Sequence, residues 1–257
     1  MLRAARRAVA LALALAISFL RFSLRRLRGP VPLEQRALWL HSTCRRVSSS
    51  VGIRCEFCGI PPSTGLLVSN HLSYLDVLIY GSILPCFFVS KAEVESWPVF
   101  GPAARCGGAM FLERGNRMSA SLVAGQMAER LRLPIPVMLF PEGTSSDGVD
   151  VLRFHSRFFE PAVIAQAPVT AAAIRYQIEG GVEERELCWF GDALFLPHLW
   201  KTLGVKGFTA SVCFAEPRRF ADRGSAARQT HLQVTALRNA APAPENPQPE
   251  HSLSRAD

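Results

Sequence analysis

The polar segment at residues 69–76 contains a histidine and an aspartate suited to acid–base chemistry. His71 precedes Asp76 by five residues, directly after an apolar run. Imidazole can take a proton from a hydroxyl near pH 7, and a carboxylate can fix its tautomer and stabilise the imidazolium. Five positions on one helix lie about 140° apart, so we expect His71 in a loop and Asp76 in the first turn of the next helix. Alternatively, Ser73 and Asp76 form a capping box, and Asp76 serves only the helix.

Two further polar segments also follow apolar runs. In the first, Arg114 has a guanidinium that can bind an anion through two hydrogen bonds, although a surface ion pair would explain it equally well. In the second, Glu142 and Thr144 can bind hydroxyls, and Gly143 lets the backbone approach a ligand closely. Backbone N–H groups near Gly143 are candidates to stabilise a developing negative charge. A plain turn would also account for this loop.

Short apolar runs separated by helical patterns must position these segments. The pattern predicts an α/β fold with about seven mostly buried strands and flanking helices. The predicted strands are 51–58, 65–69, 86–90, 109–113, 135–140, 169–176 and 208–215. Helical periodicity covers 76–84, 118–133 and 154–166.

The positive charge of the chain is concentrated at its N-terminus. Residues 1–46 contain ten arginines and one acid, a net charge of +9, whereas the remainder carries 19 basic and 20 acidic residues. The uncharged run 8–20 has thirteen residues, fewer than the roughly 20 needed to span a bilayer. More arginine follows it, with no small-residue cleavage site. We predict an uncleaved helix lying in, or dipping into, the cytoplasmic leaflet, so the expected partner is membrane lipid and not nucleic acid.

Two alternative interpretations of residues 8–20 are a signal-like segment and an ordinary helix packed on the rest of the protein.

A second amphipathic helix is predicted at 30–47, which completes a two-helix N-terminal membrane segment. The expected organisation is a membrane-associating segment at 1–48, an α/β domain at 49–239 and a disordered proline-rich tail at 240–257. The predicted location is the cytoplasmic face of the cell membrane, in a peripheral or monotopic arrangement.

The seven cysteines have scattered spacing and an odd number, which favours free thiols in a reducing compartment. Cys55 and Cys58 form an isolated C-x-x-C motif. A zinc site would need a second pair of ligands, and none lies at the usual spacing. We therefore predict neither a metal nor a cofactor.

Taken together, the motifs N-H-x-x-x-x-D, F-L-E-R and F-P-E-G-T resemble those of the glycerolipid acyltransferase family, which includes the lysophosphatidic acid acyltransferases. The resemblance spans roughly residues 50 to 215. It implies an enzyme that transfers a fatty acyl group from acyl-CoA or acyl carrier protein to the free hydroxyl of a lysolipid. It also implies that His71 is the base, that Asp76 orients it, and that Arg114 and Glu142 bind the acceptor. Gly143 and Thr144 belong to the same binding loop.

The chain departs from the family pattern at two positions. Members with phosphate-bearing acceptors usually have arginine after F-P-E-G-T, where this chain has Ser145. The expected acceptor is a lysolipid such as 1-acyl-sn-glycerol-3-phosphate, and the S-D-G sequence that follows makes lyso-ornithine lipid the alternative. Thr170 stands where the loosely defined fourth motif usually has proline.

Two other functional classes remain open from the residues alone. One is a catalytically silent membrane protein that binds lipid on the same scaffold. The other is a hydrolase that uses His71, Asp76 and Glu142 as metal ligands. The aromatic stretch 187–203 can belong to the core, to an acyl channel or to a bilayer contact.

Overall fold

Seven β-strands form one sheet in the computed structural model, which describes residues 1–240. The sheet has the strand order β1-β7-β6-β2-β5-β3-β4. Neighbouring strands are parallel except for β6 and β7, which are antiparallel. The strands are β1 (Ile53–Cys58), β2 (Leu66–Ser69), β3 (Phe87–Lys91), β4 (Met110–Leu112), β5 (Val137–Leu139), β6 (Val169–Ile178) and β7 (Phe208–Phe214). The predicted α/β class and the seven strands are confirmed.

Eight α-helices flank the sheet in the described part of the chain. They are α1 (Leu2–Arg26), α2 (Leu33–Val51), α3 (Leu75–Ile83), α4 (Phe100–Cys106), α5 (Arg117–Arg130), α6 (Glu160–Ile164), α7 (Phe195–Gly204) and α8 (Arg223–Asn239). The predicted helix at 154–166 is divided into a 3-10 turn, Ser156–Phe159, and the short α6. Helix α7 lies in the aromatic stretch, and α8 was not predicted. Beyond Ala240, the predicted proline-rich tail lies outside the described residues.

Strand β2 lies at the centre of the fold and is buried on both faces. Leu67 packs into the core that contains residues of α2, α3 and α7, whereas Leu66 and Val68 pack into the core on the α5, α6 and α8 side. Side chains alternate between the faces of a strand, so a strand covered on both sides is apolar throughout. The carboxyl ends of β2, β5, β3 and β4 lie along one edge of the sheet. The three polar segments follow β2, β4 and β5, so the topology brings them to that edge.

Helix α1 is fixed to the rest of the protein along its length. Near its start, the buried Arg7 guanidinium donates hydrogen bonds to the carbonyl oxygens of Val205, at 2.7 Å, and Lys206, at 3.0 Å, beyond the end of α7. Near its other end, the Phe22 and Trp39 rings have centroids 4.9 Å apart. The Trp39 indole N–H also donates to the carbonyl of Ser18 at 2.9 Å. The helix is therefore an attached part of the fold.

The opposite face of α1 carries an exposed apolar stripe. Its members are 44% to 60% exposed and recur at helical spacing: Val9, Leu13, Ile17, Leu20 and Leu24. By length and hydropathy, α1 is the one helix in residues 1–240 that could cross a membrane. A signal sequence near the N-terminus would meet the same criteria. The packed inner face and the apolar outer face suit the predicted helix in one leaflet. That placement remains a prediction.

Cys58 and Cys213 form a disulfide between β1 and β7. The prediction that all seven cysteines are free is therefore wrong for this pair. The parallel register of the two strands places the residues opposite each other, although they are 155 positions apart in the chain. Spacing along the sequence could not reveal this pairing. The free cysteines are Cys44, Cys55, Cys86, Cys106 and Cys188.

The apolar stripe of α1 is expected to hold the protein on the membrane. Replacing Leu13, Ile17 and Leu20 together by serine should shift the protein to the soluble fraction, because each buried side chain of this size contributes about 1.5–3 kcal/mol. Cell fractionation measures the shift. High salt should release only part of the parent protein, because salt screens the arginines but leaves apolar burial intact.

A matched control is Leu232→Ser, which removes a 67% exposed leucine from α8. This variant should stay with the membrane. Complete release of the parent protein by salt alone would show that the stripe does not insert.

Candidate active site

His71 and Asp76 form a hydrogen-bonded pair just beyond the carboxyl end of β2. The loop after Ser69 holds His71, and Asp76 is the second residue of α3. The imidazole Nδ1 donates to Asp76 Oδ2 at 2.7 Å. With Nδ1 protonated and engaged, Nε2 is the ring nitrogen that can accept a proton. The side chain of His71 is 20% exposed, so this pair is accessible to a ligand.

The Asp76 carboxylate is fully buried and is held by hydrogen bonds on both oxygens. Oδ2 also accepts the backbone N–H groups of Leu72, at 2.7 Å, and Ser73, at 3.1 Å. Such bonds compensate for the cost of burying a charge. Only one of the two bonds of the alternative capping box is made, from the Ser73 N–H to Asp76, because the Ser73 hydroxyl has no partner within residues 1–240. Asp76 therefore organises the histidine loop as well as the histidine.

Tyr176 is a site residue that the sequence motifs do not include. It lies on β6, and its buried hydroxyl donates to Asp76 Oδ1. Burial, together with the neighbouring Asp76 carboxylate, raises the pKa of Tyr176 well above its ordinary value, so the hydroxyl keeps its proton. The contact exists because β6 lies beside β2 in the sheet. No local sequence pattern marks the residue.

Glu142 lies behind the histidine loop, just after β5. It is only 4% exposed, and its Oε1 accepts the backbone N–H of His71 at 3.2 Å. No group within residues 1–240 bonds to the buried Oε2. Burial raises the pKa of Glu142 to about 8, so the free protein keeps this carboxyl protonated near neutral pH.

The loops after β2 and β5 are joined directly at the histidine. The rings of His71 and Phe140 stack with centroids 4.1 Å apart, and the N–H of Ser146 donates to the carbonyl of His71 at 2.9 Å. Gly143 has a positive φ of 69°, which permits the tight turn, and its N–H donates to the carbonyl of Phe140 at 3.0 Å. That N–H is therefore engaged within the turn.

A third segment, around Trp189, ties both loops together. Its backbone N–H donates to the carbonyl of Leu72 at 2.8 Å. Its own carbonyl accepts the hydroxyl of Ser145. Ser145, which stands where the family pattern usually has arginine, thus helps to connect its loop to the Trp189 segment.

His71 opens onto an apolar groove of about 490 Å³. Its walls come from α1, α2, α3, α4, α7 and β3, and include the aromatic residues Trp97, Phe100 and Phe195. Apart from the histidine, the charged side chains that line it are Lys91, Glu93 and Arg114. Burial lowers the pKa of Lys91, and the nearby Arg114 lowers it further. The groove therefore offers a long apolar surface with a small cationic patch.

The structure brings most of the predicted site residues together. His71 and Asp76 are paired, Glu142 contacts the histidine backbone, and Arg114 and Gly143 line the same groove. Thr144 is exposed and is not among the groove residues. Within residues 1–240, no three histidine, cysteine, aspartate or glutamate side chains are grouped as metal ligands would be. The functional roles of the site residues remain predictions.

Glu142 is expected to make the parent protein lose stability as pH rises. Between its ordinary pKa of 4.5 and about 8, the unfolded chain releases this proton while the folded protein retains it. The free energy of unfolding should therefore fall, by at most about 1.4 kcal/mol per pH unit. Glu142→Gln removes this contribution, so denaturant unfolding at pH 5, 6.5 and 8 should show a smaller decline.

The matched control is Glu129→Gln, which changes an exposed glutamate on α5. It should reproduce the pH dependence of the parent. Equal declines for the parent and Glu142→Gln would contradict the protonated state of the buried carboxyl.

Comparison with known proteins shows the family to which the chain belongs. A family model described as "Acyltransferase" matches residues 58–175. The lyso-ornithine lipid O-acyltransferase of Pseudomonas aeruginosa is 33% identical over 207 residues, which cover 79% of this chain and 78% of that protein. The 1-acyl-sn-glycerol-3-phosphate acyltransferase of Neisseria gonorrhoeae is 31% identical over 165 residues, which cover 63% of this chain and 64% of that protein.

A solved structure shares the fold. The crystal structure of the 1-acyl-sn-glycerophosphate (LPA) acyltransferase PlsC from Thermotoga maritima matches with a TM-score of 0.68 and 16% identity, over 91% of this chain and 92% of that chain. The match to the Pseudomonas relative covers more than two thirds of both proteins and includes the histidine, arginine and glutamate segments. The chain therefore belongs to the acyltransferase family.

Proposed function

We propose that the protein transfers a fatty acyl group from a thioester to the hydroxyl of a lysolipid, with His71 as the general base. One observation carries the proposal. The imidazole Nδ1 is bound to the buried Asp76, and the histidine lines a long apolar groove. A groove of that chemistry suits an acyl chain, and a histidine so held suits proton removal from a hydroxyl.

The reaction follows from this arrangement. The acceptor hydroxyl oxygen attacks the thioester carbonyl carbon as Nε2 of His71 takes the hydroxyl proton. Asp76 stabilises the resulting imidazolium through its bond to Nδ1. Collapse of the tetrahedral intermediate breaks the C–S bond and forms the ester, and the departing thiolate receives the proton from the imidazolium.

Negative charge on the intermediate requires hydrogen-bond donors. The N–H of Gly143 is engaged with Phe140, and the N–H of Ser146 is engaged with His71. Ser145 lines the groove, and within the described residues no hydrogen bond engages its N–H, so we assign this group as a donor.

The donor is acyl-CoA or acyl carrier protein, and the site requires no metal or cofactor of its own in this scheme. The membrane supplies the acceptor. The proposed location is the cytoplasmic face of the membrane, and the exposed stripe of α1 and the nearby arginines support it. A lysolipid can then enter the groove without leaving the bilayer.

The charge of the groove favours a head group with a single carboxylate. Lys91 and Arg114 provide two positive charges and Glu93 one negative charge, which leaves a net charge of +1. An ornithine head group linked to its acyl chain through the α-amino group offers one carboxylate and one ammonium group, whereas a phosphomonoester carries up to two negative charges. The Pseudomonas relative, named for lyso-ornithine lipid, also matches more of the chain than the Neisseria relative does. Lyso-ornithine lipid is therefore the proposed acceptor, with 1-acyl-sn-glycerol-3-phosphate as the second candidate.

The proposal also distinguishes this protein from a silent lipid-binding protein and from a metal-dependent hydrolase. A silent protein would bind lysolipid without forming product. A hydrolase would release free fatty acid and lose activity in a chelator. Acyl transfer that persists in EDTA would contradict both alternatives.

His71→Ala is expected to lower acyl transfer by about a hundredfold to ten-thousandfold, because the acceptor hydroxyl would lose its base. The assay follows esterified product from purified enzyme in mixed micelles. The variant should keep the circular dichroism spectrum of the parent at the assay temperature, because Asp76 retains the N–H groups of Leu72 and Ser73 and the hydroxyl of Tyr176. Activity within tenfold of the parent would contradict the assigned mechanism.

Ser145→Arg is expected to change the choice of acceptor. An added charge-assisted hydrogen bond of about 1.5–3 kcal/mol should raise kcat/KM for 1-acyl-sn-glycerol-3-phosphate, relative to lyso-ornithine lipid, by roughly ten- to a hundredfold. The measurement compares both acceptors with the parent and the variant.

Ser145→Ala controls for the bond to Trp189, which both substitutions remove. It should leave the ratio of the two kcat/KM values close to that of the parent. The proposed acceptor would be wrong if the parent strongly preferred 1-acyl-sn-glycerol-3-phosphate and Ser145→Arg left that preference unchanged.

A further inference from the structure

An ion pair between a buried arginine and a partly exposed glutamate lies behind the candidate active site, on the opposite side of the sheet from the groove. Arg238, near the end of α8, is 7% exposed and pairs with Glu184 in the segment after β6. Both residues lie outside the region matched by the family model, 58–175. Neither belongs to any of the sequence motifs.

The Arg238 guanidinium is bound to three separate parts of the chain. It donates to the carbonyl of Ile174 on β6 at 2.7 Å and to the carbonyl of Gly148 at 2.6 Å. It also donates to both carboxylate oxygens of Glu184. One side chain thus joins α8, β6 and the end of the loop that carries Glu142.

Each of these contacts leads directly to the catalytic pair. Glu184 Oε1 accepts the backbone N–H of Tyr176 at 2.7 Å, and the hydroxyl of that tyrosine donates to Asp76. The carbonyl of Ile174 also accepts the side-chain amide of Asn70 at 3.1 Å, and Asn70 immediately precedes His71.

The contact with Gly148 leads to the histidine from the other side. Gly148 is two residues from Ser146, whose N–H donates to the carbonyl of His71 at 2.9 Å. The guanidinium therefore connects to the Asp76 side of the pair through β6 and to the histidine loop through the Glu142 loop.

We propose that Arg238 and Glu184 are positioning residues for acyl transfer, which hold Tyr176 and the Glu142 loop so that the His71–Asp76 geometry is kept. The inference rests on the proposed function. The planar fork of arginine is suited to this position, because several donors reach separate acceptors at once. A lysine at this position would have a single ammonium group. One nitrogen cannot bond to the carbonyls of Ile174 and Gly148 and to the Glu184 carboxylate in this arrangement.

The test compares two conservative substitutions of buried arginines. Arg238→Lys should lower kcat by roughly ten- to a hundredfold, because displacements of about 1 Å at a reacting centre have effects of this size. KM for the acyl donor should change by less than about threefold, since the groove is unaltered. Arg130→Lys is the control, because Arg130 is also 7% exposed but donates to the carbonyl of Gln126 and packs on Phe87, away from the groove. It should leave kcat within about twofold of the parent.

A double-mutant cycle separates positioning from general destabilisation. Tyr176→Phe removes the hydroxyl that Asp76 accepts. If Arg238 acts through Tyr176, the fold-loss in kcat for Arg238→Lys should be clearly smaller in the Tyr176→Phe background. Glu184→Gln, which keeps an acceptor for the N–H of Tyr176, should retain more activity than Glu184→Leu. All kcat values are measured below the melting transition of each variant.

Three results would overturn the proposal. Arg238→Lys with kcat within twofold of the parent would contradict it, and so would an equal loss for Arg130→Lys. Fully multiplicative losses in the cycle would contradict it too, because the proposal requires Arg238 to act at least partly through Tyr176. An inactive parent would instead contradict the proposed function, and this inference with it.

Discussion

The buried carboxylate of Asp76 is the group on which the architecture of the site depends. A charged group that is removed from solvent must be compensated by hydrogen bonds. The donors to Asp76 are the imidazole of His71, two backbone N–H groups and the hydroxyl of Tyr176. Satisfying Asp76 therefore closes the loop after β2, orients the histidine and couples both to β6. The same bonds that make burial tolerable also leave a single imidazole nitrogen free to take a proton.

Glu142, in the loop after β5, tolerates burial in a different way from Asp76. Glu142 has one backbone donor on Oε1 and none within the described residues on Oε2, and its proton is retained in place of a charge. The carboxyl groups of Asp76 and Glu142 thus differ in how many hydrogen-bond donors surround them. The groove beside them is apolar with a small cationic patch, so under the proposed function the site has one part for proton transfer and another for lipid.

The chemistry-bearing loops could be predicted because each follows a short apolar strand and has its own local pattern. His71, Asp76 and Glu142 were found in this way, and the topology brings them together at one edge of the sheet. Tyr176 and Arg238 could not be found, because their contacts depend on β6 pairing with β2 and on α8 packing against β6. The Cys58–Cys213 bond depends likewise on the register of β1 and β7. Helix α8 escaped prediction because its buried face consists largely of small residues such as Ala226 and Ala227.

The attachment of α1 by Arg7 has a consequence for how a lipid is chosen. Because the helix cannot swing away from the fold, a bilayer that takes up its outer stripe also fixes the height of His71 relative to the plane of the lipid head groups. The enzyme would then select an acceptor partly by depth, since only a hydroxyl carried at that height meets the imidazole. Two lysolipids with equally well-bound head groups would still differ as substrates if their free hydroxyls lay at different levels in the leaflet.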